Sequence, residues 1–154
     1  MEILDDKRWK QRVRDWWPAL GWAALISFFS SGYFGGEYTS RFILPFLQWL
    51  LPDATLETLW QLHWLVRKAA HFVEYCLLSL FVLRGLRGGT AGWRWRWAVW
   101  AVLISAGYAG VDEIHQHFVP GRGAAVEDVL LDSAGAVVGQ LLALLWIRTG
   151  EDGR

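Results

Sequence analysis

One cysteine, Cys76, stands in this chain of 154 residues. A single thiol excludes an internal disulfide and any cysteine-built metal cluster. With Tyr75, Leu77 and Leu78 around it, Cys76 reads as a small buried hydrophobe. Proline is also scarce, with four residues in all, and charge is thin: 19% of the chain is Asp, Glu, Lys or Arg, against about 25% in soluble domains. Fifteen basic residues cancel fifteen acidic ones, so a nucleic-acid partner has no electrostatic footprint to meet. Internal repeats, low-complexity tracts and a soluble second domain are missing too, and the length fits one domain over residues 1–154.

Apolar residues fill that space. They make up 54% of the chain and include 12 tryptophans. Four apolar segments cover about 16–33, 69–86, 93–114 and 126–147, each near the ~20 residues that cross a hydrocarbon core. Pro18 falls in the first turn of the first segment, where its missing N–H costs little. The stretch MEILDDKRWKQRVRDWWPAL puts positive charge ahead of an apolar run, as a signal peptide does. No small-residue cleavage site follows cleanly, so an uncleaved first membrane helix is expected. The pattern predicts an all-α fold, a bundle of four transmembrane helices. Tryptophans near the segment ends suit an interface belt better than the core of a soluble bundle.

Between the first two segments, RFILPFLQWLLP is too short and too interrupted by proline to span; it reads as a segment lying in the outer interface. The following PDATLETLWQLHWLVRKAAH predicts a helix capped by Asp53 or Thr55, with Glu57 in its first turn, leading into the second segment. His63 reads as interfacial. Basic residues set the orientation. Lys7, Arg8, Lys10, Arg12, Arg14, Arg84, Arg87, Arg94, Arg96, Arg148 and Arg154 fall on one side, against Arg41, Arg67, Lys68 and Arg122 on the other. The expectation is a multi-pass protein of the plasma (inner) membrane with both termini cytoplasmic.

The stretch YAGVDEIHQHFVPGRGAAVEDVLLD, residues 108–132, gathers ionisable groups between two apolar segments. Lys68 and His71 belong to the outer end of the second span, Asp112 and Glu113 to that of the third, Asp128 and Asp132 to that of the fourth, and Arg122 to a loop. Spacings of three and four align Lys68, His71 and Tyr75 on one face, with Glu74 at its border. They also align Asp112 with Gln116, and Asp128 with Asp132. Charges facing lipid are costly, so these are expected to face inward. Pro120-Gly121 predicts a turn. Gly135-x-x-x-Gly139 invites a close neighbouring helix, with Gly107 and Gly110 as the expected partner surface.

"KAAHFVEY" and "YAGVDEIHQHFVPGRGAAVEDVLLDSAGAVVG" together resemble the VanZ-like family. Its pattern joins a K-x-x-H-x-x-x-Y helix to D-E-x-x-Q, P-G-R and D-x-x-x-(N/D)-x-x-G. By position, the resemblance implies signature residues Lys68, His71, Tyr75, Asp112, Glu113, Gln116, Pro120, Gly121, Arg122, Asp128 and Gly135. Asp132 stands where many members carry Asn. The family takes its name from an accessory protein linked to resistance against the glycopeptide teicoplanin. The resemblance therefore implies an envelope-related membrane protein, without a settled reaction and without a resistance phenotype for this chain.

The expected function is binding or modification of an anionic lipid, or of a lipid-linked envelope head group with a polyprenyl or acyl chain, in an extracytoplasmic pocket. His71, Asp112, Glu113 and Asp128 form the expected catalytic set, with His71 as general base or acid held by Asp112 or Glu113. Lys68, Tyr75, Gln116, Arg122 and Asp132 form the expected binding set, and Asp128 with Asp132 offers a site for a divalent cation. His115 and His117 give only a weak zinc signal. Glu113–Arg122 and Asp128–Lys68 also read as structural ion pairs. Other readings are a small proton-coupled carrier with the acids as relay, and a structural partner docking through the Gly135 row.

Overall fold

Leu and Ala are abundant in this chain, and both are strong helix formers. The computed structural model describes residues 2–120, 122–123 and 125–152; Gly121, Arg154 and the side chain of Lys7 lie outside the described residues. Among the described residues five α-helices follow in order: α1 (Glu2–Phe29), α2 (Gly36–Leu50), α3 (Leu56–Arg87), α4 (Trp95–His117) and α5 (Val126–Asp152). A 3-10 turn over Gly32–Phe34 leads into α2, and no strand occurs among the described residues.

Helix α1 starts well before the apolar run that announces it. The charged residues ahead of Trp16 are themselves good helix formers, so Pro18 lies inside the helix and not in its first turn. The interfacial stretch is also helical, as α2, with Pro45 inside it. Helix α3 is continuous through its polar start and its apolar body. Thr55 caps it, its Oγ1 accepting the Thr58 N–H at 3.2 Å. Thr55→Ala is expected to cost about 1 kcal/mol, measured as a drop in the thermal midpoint of the purified protein. At the other end Gly88 adopts φ 53°, the left-handed conformation that closes a helix without strain only for glycine.

Among the described residues, two helices, α3 and α5, are long and apolar enough to cross a membrane. In their most apolar stretches only 33% of residues are buried, the reverse of a core helix in a soluble protein. Val73, Leu130, Leu141, Leu145 and Trp146 lie exposed on their outer faces. In α4, tryptophans, small residues and the Asp112–Glu113 pair dilute the apolar run.

Helix α3 is the hub. It packs most extensively on α5 and also meets α1, α2 and α4. Ile26, Tyr75, Leu78, Val82, Leu83, Ala101 and Ala109 are buried together at its centre. The α3–α5 seam is tight because Gly135 and Gly139 lie directly on the α3 backbone: a Cβ at Gly135 would overlap the Phe72 carbonyl, and one at Gly139 would meet the Cys76 carbonyl and Ser79 Oγ. Ser79 Oγ donates to the Ala136 carbonyl at 2.8 Å, and Gln140 Nε2 donates to the Ser79 carbonyl at 2.9 Å. The glycine row thus meets α3, not Gly107 and Gly110, which face open space.

Candidate functional site

Buried polar groups concentrate near the middle of α3, where the end of α1, the end of α4 and the start of α5 converge. Lys68 and Asp128 form an ion pair that ties α3 to the first turn of α5, and the Lys68 ammonium also lies 5.5 Å from the Trp64 ring centroid. His71 Nδ1 lies 3.6 Å from Asp132 Oδ1, and Asp132 is only 1% exposed. Asp132, not Asp112 or Glu113, is the only acid among the described residues in ion-pair range of His71.

Asp112 and Glu113 have other partners. Asp112 Oδ2 accepts from Ser30 Oγ at 2.7 Å and from Gln116 Nε2 at 3.0 Å, which fastens α4 to the end of α1. Glu113 Oε1 accepts the Ala125 N–H at 2.6 Å and so satisfies a free donor at the start of α5. Gln116 donates to Ser30 Oγ and accepts from Arg122 Nη1 at 3.4 Å. Arg122 Nη2 donates to the Phe29 and Ser31 carbonyls, while its buried Nε has no partner among the described residues. Arg122 therefore clamps the loop to the C-terminal end of α1 and makes no ion pair with Glu113. The Arg122 N–H reaches the Val119 carbonyl at 3.1 Å, closing the turn expected at Pro120. Tyr75 is 0% exposed and its hydroxyl has no partner among the described residues; it sits in the core beside Tyr108, 6.4 Å between ring centroids.

A cavity of about 150 Å³ opens between α1, α2 and α3. Arg67, His71, Glu74 and Arg122 supply its ionisable wall, with Ser30, Thr39, Phe29, Phe34, Ile43 and Val66 among the rest. Of the residues expected from sequence, only His71 and Arg122 line it. Lys68, Gln116, Asp112, Glu113, Asp128, Asp132 and Tyr75 do not. Arg67 Nη1 donates to the Phe34 carbonyl at 3.0 Å and to Thr39 Oγ1 at 3.3 Å, but neither Arg67 nor Arg122 forms an ion pair among the described residues. Desolvation, and after it the nearby Arg67 guanidinium, lower the Arg122 pKa from its ordinary value. His63 is buried and bonds Thr39 at 3.1 Å, docking α2 on α3 instead of facing the interface.

The missed wall had a legible signal. Positions 67, 71 and 74 share a helical face just as 68, 71 and 75 do, and Arg67 is as anomalous in an apolar helix as Lys68. Among the described residues, no three His, Cys, Asp or Glu side chains converge as a metal site requires.

Ionisable groups buried where helices meet, inside a bundle whose outer faces are leucine, valine and tryptophan, define a helical protein of membrane type. Within that class the chain belongs to the VanZ/LLP1 family, whose model matches residues 16–147. The match runs from within α1 through most of α5 and includes every residue of the polar cluster. Comparison with curated proteins and with solved structures gives no match.

Proposed function

We propose that this chain is a multi-pass inner-membrane protein of the cell envelope that takes an anionic lipid head group, free or lipid-linked, into the cavity walled by Arg67, His71, Glu74 and Arg122. Helices α1, α3, α4 and α5 are the four spans, α2 lies in the interface, both termini are cytoplasmic, and the cavity opens on the extracytoplasmic side. The uneven distribution of Lys and Arg between the two sides supports that orientation.

The carrying observation is a pair of guanidiniums, on one small cavity, that form no ion pair among the described residues. Buried cations in a membrane protein are costly unless compensated, and a planar guanidinium matches phosphate or carboxylate through two parallel hydrogen bonds. The volume of about 150 Å³ is below that of most whole-ligand pockets, roughly 300–1,000 Å³. It therefore suits a head group whose chain stays outside, along the apolar residues Phe29, Phe34, Ile43 and Val66. Arg67 takes the role expected of Lys68, whose charge is already matched by Asp128. His71, on the cavity wall with Asp132 beside it, is the group placed to accept or donate a proton if the bound head group reacts.

Arg67→Gln is the cleaner test, because it leaves the Arg122 clamp on α1 intact. Binding of phosphatidylglycerol to the detergent-solubilised variant should weaken at least tenfold, corresponding to about 1.4 kcal/mol, with Arg67→Lys intermediate. Unchanged affinity at normal folded yield would eliminate this reading.

A further inference from the structure

Some 13 residues beyond His71 along α3, about 20 Å at 1.5 Å per residue, two cavities share one pair of guanidiniums. The first is an apolar groove between α3 and α5, about 490 Å³, lined by Leu80, Leu83, Leu142, Ala143, Trp146 and Ile147 and ending at Arg84 and Arg87. The second is polar, also about 490 Å³, and is lined by the same Arg84 and Arg87 with Gln11, Arg14, Asp15, Gly89, Thr90 and Ala91. Its lining holds three arginines against a single acid, Asp15. Among the described residues, Arg84 donates to the Arg14 carbonyl at 3.4 Å, and Arg87 to the Thr90 carbonyl at 3.1 Å. Neither arginine forms an ion pair among the described residues.

We propose that this junction is a second lipid site, which seats one anionic phospholipid with its phosphate on Arg84 and Arg87 in the polar cavity and an acyl chain along the α3–α5 groove. An apolar groove alone selects nothing in a membrane, since bulk lipid is as apolar as leucine. The arginines supply the discrimination, because basic pockets between spans hold anionic head groups. Their placement in the last turn of α3 sets both cations beside the helix's own C-terminal carbonyls, a favourable position for positive charge. Trp146, 76% exposed at the groove mouth, supplies the amphipathic ring that anchors at a membrane interface. The site is independent of the cavity around Arg67.

The test is native mass spectrometry of the full-length Arg67→Gln protein, so that the first cavity does not contribute. The probes are phosphatidylglycerol, phosphatidylcholine and soluble glycerol 3-phosphate. One phosphatidylglycerol should stay bound after phosphatidylcholine has been stripped. Adding Arg84→Gln and Arg87→Gln should reduce its retention at least tenfold, and glycerol 3-phosphate should not displace it. If that variant folds poorly, Leu142→Trp, at a half-exposed groove position, should block retention with the arginines intact. Equal retention by variants and parent, or displacement by glycerol 3-phosphate at the lipid's own concentration, overturns the proposal.

Discussion

Gly135→Ala is expected to destabilise the protein by about 3 kcal/mol, the upper end of ordinary overpacking. The new methyl group would meet the Phe72 carbonyl, which belongs to a helical backbone and cannot rotate aside. Either α5 must move away from α3 or the α3 ladder must distort. The intrinsic effect has the opposite sign, since alanine in a helix is better than glycine by about 1 kcal/mol. Gly107→Ala isolates that gain, because nothing lies within 4 Å of its added Cβ. Thermal unfolding in detergent should place Gly135→Ala well below the parent, and Gly107→Ala level with it or above. If Gly135→Ala melted no lower than Gly107→Ala, the close seam would be wrong.

Lys68→Met comes next in expected size. An exposed ion pair contributes about 0–1 kcal/mol, whereas stripping one partner from a buried pair costs about 3–5 kcal/mol. Side-chain exposures of 22% for Lys68 and 15% for Asp128 put this pair near the buried limit. Lys68→Met should therefore cost about 3 kcal/mol, because Asp128 loses the cation that compensates it. Combining it with Asp128→Leu should restore most of the loss, as apolar replacement of both partners removes the orphaned charge. A double-mutant cycle by thermal or denaturant unfolding reads both numbers. A loss under about 1 kcal/mol for Lys68→Met would place the pair among ordinary surface contacts.

Sequence made some features legible and hid others, for physical reasons. The all-helical class follows from apolar runs of helical length punctuated by glycine and proline. The Thr55 cap and the Lys68–Asp128 pair follow from local chemistry, a β-region hydroxyl before a helix in one case and opposite charges on neighbouring helices in the other. The start of α1 was hidden because hydropathy marks where a helix turns apolar, not where it begins. The partner of the Gly135 row was hidden because glycine reports that something comes close without saying which helix. Arg67 was overlooked for a subtler reason. Adjacent helical residues point about 100° apart, so two neighbouring cations define two faces, and periodicity alone does not say which one meets a cavity. Asp112 and Glu113 show the same ambiguity: one bonds Ser30, the other the Ala125 N–H.

The glycine seam has a consequence for that choice of face. With Phe72 and Cys76 pressed against Gly135 and Gly139, α3 has no freedom to roll about its long axis. Its azimuth is set four residues after Lys68, so the seam decides which of two adjacent cations confronts the cavity and which is spent on Asp128. Inserting one residue between Lys68 and Phe72 would turn everything upstream by about 100° and swing Lys68 toward where Arg67 now stands, exchanging a flat two-pronged donor for a point charge without altering the composition of the site.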